Sequence, residues 1–187
     1  MSDPEIQRNF LPYVEALQRR ALETIDLVVI HCTELPDLPT AREFGERIHY
    51  PDSASGNSGH YYVDRSGRIE QWVPLNRVAH HVRGHNARSI GIELVNLGRY
   101  PHWHDSRRQE MTEPYPEDQI GSLARLILLL RGQLPGLAGL AGHEDLDRGR
   151  VTATDDASKS VFRKRDPGPL FPWDQLLGAT GLARVRD

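Results

Sequence analysis

Runs of apolar residues, some continuous and some alternating with polar ones, predict strands and helices in turn along the chain. The densest run covers residues 25–33, where Leu27-Val28-Val29-Ile30 are consecutive apolar residues. Such a run is typical of a strand covered on both faces in the middle of an α/β sheet. In residues 89–95, apolar positions alternate with Gly91 and Glu93, which predicts a second strand. Residues 137–142 predict a third, short strand that ends at His143.

Helical spacing of apolar residues predicts a set of helices around these strands. Asp3 as N-cap and Pro4 in the first turn open a predicted N-terminal helix through about residue 22. Further helices are expected at about 41–49, after a capping box that begins at Thr40, at 116–134, and near 173–177. Residues 60–64 and 68–73 flank Arg65-Ser66-Gly67 and predict a β-hairpin.

These elements together predict the fold class and the domain organisation. We expect one α/β domain over residues 1–187, with a central mixed β-sheet flanked by helices. Within it, residues 1–24 hold the N-terminal helix and residues 25–178 hold the core. A chain of 187 residues is long enough for one domain with a full core.

Composition and charge exclude several classes of function. The formal net charge of −3 gives no basic face for a nucleic acid. No apolar run approaches the roughly 18 residues of a membrane span, so we expect no membrane insertion. Cys32 is the single cysteine, which excludes an internal disulfide. The N-terminus shows no apolar signal-peptide segment, so we expect a cytoplasmic protein, and we expect a monomer.

Histidines at the ends of strands suggest a metal site. The chain has nine histidines, and both His31 and His143 directly follow an apolar strand, where catalytic groups of open α/β sheets collect. Catalytic zinc sites use three protein ligands and keep one position for water. A lone histidine at a strand end is often structural, so spacing alone leaves this site open. Candidates for a third ligand are Asp145, Asp147, Asp166 and Cys32.

Two further charged positions suggest acid–base chemistry. Glu93 lies between apolar neighbours in a predicted strand, either as a carboxylate on a solvated sheet face or as a general base in a cleft. Lys164 and Asp166 are two residues apart, so in extended backbone they face the same side. They are suited to stabilising an oxyanion and binding a metal, whereas we interpret Arg163 and Arg165 as part of a basic surface turn.

Five motifs in chain order resemble a known enzyme family. They are V-V-I-H-C-T, H-Y-Y-V-D-R-S-G-R-I-E-Q, N-A-R-S-I-G-I-E, A-G-H-E-D-L and R-K-R-D-P-G-P-L-F-P-W. Together they resemble the zinc-dependent N-acetylmuramoyl-L-alanine amidases, the amidase-2 or AmpD-like family, which shares its fold with peptidoglycan recognition proteins. The resemblance runs from about residue 25 to residue 173.

The resemblance implies a site and a reaction. It implies Zn²⁺ bound by His31, His143 and Asp166, with Glu93 as the catalytic glutamate and Lys164 stabilising the tetrahedral intermediate. The family cleaves the amide that joins the lactyl group of N-acetylmuramic acid to L-alanine of the stem peptide. The implied partners are peptidoglycan fragments or muropeptides.

The resemblance also implies substrate-binding positions and shows departures from the family. His81 matches a histidine near the substrate groove, although its usual aromatic neighbour is replaced by His80. Asn86 is expected to line the groove, and His60 is either structural or in contact with substrate. Gly59 replaces the tyrosine of phage-type members, which favours the glutamate-using branch. Residues 148–162 form a longer connection than in short members, and we expect a loop that is mobile or borders the groove.

Two other functions are compatible with parts of this pattern. One is a binding module of the same fold that recognises peptidoglycan without cleaving it, which would typically lack a complete ligand set. The other is an HNH-like metal nuclease built on His80, His81 and Asn86, which would need a basic groove.

Overall fold

A seven-stranded mixed sheet forms the centre of the protein, described here by a computed structural model that covers residues 3–186. Within that range the strands are β1 (Ile6–Arg8), β2 (Leu27–Cys32), β3 (Tyr61–Val63), β4 (Ile69–Gln71), β5 (Ser89–Leu94), β6 (Gly139–Gly142), β7 (Arg150–Thr152), β8 (Ser160–Phe162) and β9 (Ala183–Arg184). The order across the large sheet is β1-β4-β3-β5-β2-β6-β9, and only the β3–β4 pair is antiparallel. The predicted α/β fold class and mixed sheet are confirmed.

Four α-helices surround this sheet within the described range. They are α1 (Leu38–Gly45), α2 (Glu117–Gln133), α3 (His143–Leu146) and α4 (Trp173–Thr180). The predicted helices at 116–134 and 173–177 correspond to α2 and α4. Helix α1 begins three residues earlier than expected, because the Asp37 carboxylate, rather than Thr40, caps it by accepting the Thr40 N–H at 2.8 Å.

The predicted N-terminal helix is wrong. Residues Ile6–Arg8 form β1, which pairs with β4, and the backbone N–H of Leu11 continues this edge by donating to Trp72 at 3.0 Å. Beyond it, Val14–Ala16 and Leu22–Thr24 form only single 3₁₀ turns. Of the apolar side chains that gave the helical spacing, only three are buried in the cluster that contains Trp72, namely Tyr13, Val14 and Leu17. Phe10 and Leu22 are exposed, so these side chains do not form one buried stripe and tertiary contacts override the local pattern.

The two faces of the sheet differ, and this difference positions the site. Val28 and Ile30 of β2, with the isoleucines of β5, pack against α2 through fully buried residues such as Leu123. Residues on the opposite face of β5 are Ser89, Gly91 and Glu93, because side chains alternate along a strand. This second face, which also includes His31 of β2, lies under a cleft.

Residues 148–162 form a hairpin rather than an irregular loop. Strands β7 and β8 pair in antiparallel fashion, from Arg150 opposite Phe162 to Thr152 opposite Ser160. The tip is attached to the segment before α2, because Asp155 accepts hydrogen bonds from the N–H and hydroxyl of Ser106. The cleft is lined by other described residues, so the expectation of a groove-bordering loop is not supported.

Across residues 3–186, no helix is both long and apolar enough to cross a lipid bilayer.

The packing of α2 on the sheet predicts a large difference between two leucines of one helix. Leu123 is fully buried, whereas Leu128 is 36% exposed. We expect Leu123→Ala to lower the free energy of unfolding by about 3 kcal/mol, because it leaves a cavity against β2 and β5. Leu128→Ala, the matched control, should cost less than about 1 kcal/mol. Urea denaturation measures both, and equal losses would contradict this assignment of the core.

Candidate metal centre and active-site cleft

Three buried side chains meet at the carboxyl end of the central strands. The His31 Nδ1 atom lies 2.9 Å from Asp166 Oδ2 and 3.0 Å from His143 Nδ1. His143 Nδ1 in turn lies 3.1 Å from Asp166 Oδ2. All three residues are at most 3% exposed. They form a group whose ligand atoms face one another and could hold a metal ion.

The sheet register and one backbone hydrogen bond bring this group together. Strands β2 and β6 are parallel, with Ile30 opposite Gly142, so the residue that follows each of these two is one of the two histidines: His31 on β2 and His143 at the start of α3. Asp166 reaches them from a loop, and the Glu144 N–H donates to its carbonyl at 3.0 Å. Two remote segments of the sequence are therefore fixed at one point of the sheet.

The other candidates for a third ligand have different partners. Asp145 accepts hydrogen bonds from the Gly142 N–H and from the Arg184 guanidinium. Asp147 forms an ion pair with Arg163. Cys32 is adjacent to His31 on β2, so its side chain points to the opposite face of the sheet.

The donor set fits a zinc ion. His143 Nε2 and Asp166 Oδ1 are buried without a hydrogen-bond partner among the described residues. A tetrahedral zinc site with bonds of 2.0–2.1 Å separates its ligand atoms by about 3.3 Å, close to the separations found here. Burial lowers the pKa of His31 to about 4, which keeps its imidazole neutral and able to donate a lone pair near pH 7.

Glu93 lies beside this group, in the cleft rather than on a solvated sheet face. It is opposite His31 in the β2–β5 register, and its Oε1 atom lies 4.0 Å from His31 Nδ1. Only 15% of its side chain is exposed. Burial, reinforced by the Asp166 charge and partly offset by Lys164, raises the pKa of Glu93 to about 8. Gly59 allows this placement, because a Cβ there would lie 2.9 Å from Glu93 Cγ.

A cleft of about 820 Å³ opens above the three buried side chains. Lys164 lines it together with Arg163, which the sequence analysis assigned to a surface turn. Aromatic residues extend its walls, including Tyr50, whose ring packs edge-on against His80 at 4.9 Å, and Trp103. The cleft therefore combines a polar floor with cationic and aromatic walls.

Comparison with known proteins assigns the family. A family model described as N-acetylmuramoyl-L-alanine amidase, Amidase_2, matches residues 21–169. The chain belongs to the Amidase_2 family. This agrees with the resemblance drawn from the five motifs.

Two curated relatives match part of the chain. The N-acetylmuramoyl-L-alanine amidase AmiD of Escherichia coli is 33% identical over 134 residues, which are 64% of this chain and 43% of that protein. The 1,6-anhydro-N-acetylmuramyl-L-alanine amidase AmpD of Enterobacter cloacae is 28% identical over 123 residues, which are 61% of this chain and 52% of that protein. The matches thus span about half the length of these relatives.

Solved structures show the same fold. An endolysin amidase, LysCS of Clostridium intestinale, superposes with a TM-score of 0.69 at 21% identity and covers 97% of this chain and 98% of its own. The E. coli AmiD structure superposes with a TM-score of 0.62 at 27% identity and covers 87% of this chain and 60% of that one. At such identities, the endolysin supports the fold alone.

The substrate-binding positions expected from the resemblance have different surroundings. His81 and Asn86 both line the cleft. The Asn86 side chain accepts the backbone N–H groups of His81 and Val82 at 3.0 and 2.7 Å, which fixes the turn that carries His81. His60 is fully buried and does not line the cleft, so its position gives no support for contact with substrate. Because the Asn86 side chain is used in these structural hydrogen bonds, the hypothesis of a nuclease built on His80, His81 and Asn86 gains no support.

A buried ion pair between Arg99 and Glu34 supports the rim of the site. It was not predicted from the sequence. Arg99 donates to both carboxylate oxygens of Glu34, at 2.7 and 2.9 Å, and to the carbonyls of Phe162 and Arg163. Glu34 follows β2 with a positive φ of 50°, a conformation that is unusual for a non-glycine residue. The pair therefore connects the end of β2 to the segment that carries Lys164. No local motif signals it, since 65 residues separate the two partners.

The raised pKa of Glu93 predicts a pH-dependent stability for metal-free protein. Below about pH 4 the carboxyl is protonated in both folded and unfolded chains. Between its ordinary value of 4.5 and about 8 the unfolded chain releases this proton while the folded one retains it, so the folded state loses stability as pH rises. Glu93→Gln removes this loss. Relative to the wild type, we expect the stability of chelator-treated Glu93→Gln to increase by about 3 kcal/mol between pH 4 and pH 7.

Urea denaturation at pH 4, 5.5 and 7 measures this difference. Glu43→Gln, at an exposed position on α1, is the matched control and should show no such gain. A Glu93→Gln difference that is constant over the three pH values would contradict the burial of an ionisable Glu93.

Proposed function

We propose that this protein is a zinc-dependent N-acetylmuramoyl-L-alanine amidase. It hydrolyses the amide between the lactyl group of N-acetylmuramic acid and L-alanine in peptidoglycan fragments or muropeptides, and it acts as a monomer. The observation that carries the proposal is the His31–His143–Asp166 group with the Glu93 carboxylate 4.0 Å from His31, in a member of the Amidase_2 family.

The metal supplies the part of the chemistry that side chains lack. Zinc held by His31, His143 and Asp166 would act as a Lewis acid that lowers the pKa of water and polarises the substrate carbonyl. A cation at this point also lowers the pKa of Glu93, because it lies next to the carboxylate and favours the charged form. Among residues 3–186, Asp166 Oδ1 and His143 Nε2 have no hydrogen-bond partner, so this pocket offers further polar atoms that a ligand could contact.

Glu93 and Lys164 are assigned to proton transfer and charge stabilisation. Ionised Glu93 accepts a proton from the attacking water and then gives it to the nitrogen of the leaving L-alanine. Its burial favours this role, since a base whose pKa is raised holds the proton more readily between the two steps. Lys164 stabilises the negative charge that develops on the carbonyl oxygen. One such donor typically lowers the activation free energy by about 3 kcal/mol.

The substrate class is proposed from relatives of the same family. The AmiD structure is a complex with anhydro-N-acetylmuramic acid-L-Ala-D-γ-Glu-L-Lys. AmpDh3 of Pseudomonas aeruginosa, 25% identical, was solved with an anhydromuramic pentapeptide. The cleft above the three proposed ligands offers both aromatic and cationic walls, which suit a sugar and the carboxylates of a stem peptide. A complete donor set favours catalysis over a module that only binds peptidoglycan.

Glu93→Gln tests the assigned base. Glutamine keeps the side-chain volume and the strand position, so zinc content and muropeptide binding should stay near wild type. It accepts no proton, so turnover should fall about 10³–10⁴-fold, toward the upper end for a group used in two steps. Turnover is measured by release of L-alanyl peptide, with Glu43→Gln as the control. A change below about threefold would show that Glu93 is not the base.

Metal removal tests the cofactor. Dialysis against a chelator should abolish release of L-alanyl peptide, and one equivalent of zinc per chain should restore it. Atomic absorption measures the metal content, and Asp166→Asn should weaken retention of zinc by removing the charged ligand. A metal-free preparation with full activity would overturn the proposal.

A further inference from the structure

His81 contacts the back of a proposed zinc ligand rather than open solvent. Its Nδ1 atom lies 2.9 Å from His31 Nε2, the nitrogen that points away from Asp166 and His143. Its Nε2 atom lies 3.2 Å from the Ser89 hydroxyl. Gly91 provides the space for the ring, because a Cβ at that position would lie 2.6 Å from His81 Cγ.

Counting protons along these contacts fixes the tautomers. The Ser89 hydroxyl has one hydrogen, which it donates to the backbone carbonyl of His85 at 2.8 Å. Its oxygen must then accept from His81, so the His81 proton is on Nε2. His81 Nδ1 consequently carries a lone pair and accepts from His31, whose proton is on Nε2. The lone pair of His31 is thereby left on Nδ1, which faces Asp166 and His143.

We propose that His81 is a positioning residue that sets the tautomer of His31 for metal binding. It does so through a series of hydrogen bonds that starts at the His85 carbonyl and passes through Ser89. The proposal rests on the assignment of His31 as a metal ligand. Its physical basis is general, since the hydrogen bond made by one ring nitrogen determines which nitrogen is free to bind metal. Without these hydrogen bonds, His31 could also adopt its other neutral tautomer, which carries the proton on Nδ1, where the metal would bind.

The surroundings hold His81 in this role. The carboxamide of Asn86 accepts its backbone N–H at 3.0 Å, and the buried ring of His60 packs edge-on against it at 5.7 Å. A single N–H on the His81 ring satisfies both of its contacts, because Nε2 can donate to the Ser89 oxygen while Nδ1 accepts from His31.

Removing the Ser89 hydroxyl tests this series of hydrogen bonds at a residue that does not belong to the proposed metal ligands. In Ser89→Ala, His81 no longer has an acceptor for its Nε2 proton, so either tautomer becomes possible. We expect the zinc dissociation constant, measured by competition with a chelating dye, to rise about 10–100-fold. Ser122→Ala removes another buried hydroxyl, on α2, and should leave zinc affinity unchanged. A Ser89→Ala change within about twofold would overturn the proposal.

Variants of His81 separate the hydrogen bond from the packing. His81→Gln offers a carboxamide oxygen that can accept from His31 Nε2, so it should restore most of the zinc affinity that His81→Leu loses. Equal losses in these two variants, with both folded by circular dichroism, would show that His81 only fills space.

Imidazole ¹⁵N spectra read the tautomers directly in the unaltered protein. We expect His81 to be protonated at Nε2 in both metal-free and zinc-loaded protein, and His31 to be protonated at Nε2 with zinc bound. Protonation of His81 at Nδ1 would overturn the proposal. None of these measurements uses a substrate, so a protein that binds zinc but cleaves no muropeptide would refute the proposed function and leave this inference standing.

Discussion

The close approach of three lone-pair donors in a buried pocket is the constraint on which the structure depends. His31, His143 and Asp166 bring two nitrogens and an oxygen within 3.1 Å of one another while almost excluding water. Such donors repel unless a proton or a cation lies between them, so a bound cation offsets both their repulsion and the desolvation of the carboxylate. The parallel β2–β6 register and the pairing of Glu34 with Arg99 maintain this geometry from opposite sides.

Strand β5 shows how one short sequence serves both the core and the site. Its isoleucines and Leu94 pack against α2 and hold the strand rigidly in the middle of the sheet. Ser89, Gly91 and Glu93 alternate with them on the opposite face. There each has a different use: Ser89 contacts His81, Gly91 leaves room for its ring, and Glu93 lies beside the His31–His143–Asp166 group. The alternation of a strand thus converts tight packing on one face into accurate positioning on the other.

Much of this arrangement could be predicted from the sequence, and the exceptions have physical reasons. Continuous apolar runs and strong alternation identified β2, β5 and α2, where burial is deep and the pattern is long. The prediction of an N-terminal helix was wrong because only some of the apolar residues are buried beside Trp72 while Phe10 and Leu22 are exposed, and spacing alone does not distinguish that from a helix stripe. The Glu34–Arg99 pair and the burial of His60 depend on contacts between distant segments, which no local motif encodes.

The most direct test of the account is to follow the oxygen of water into the products. A purified 1,6-anhydro-muropeptide is incubated with the zinc-loaded protein in H₂¹⁸O, and the products are analysed by mass spectrometry. The account predicts a free peptide that begins with L-alanine and a saccharide whose lactyl carboxylate carries one ¹⁸O. Intact muropeptide, or cleavage at a glycosidic or another peptide bond, would contradict it.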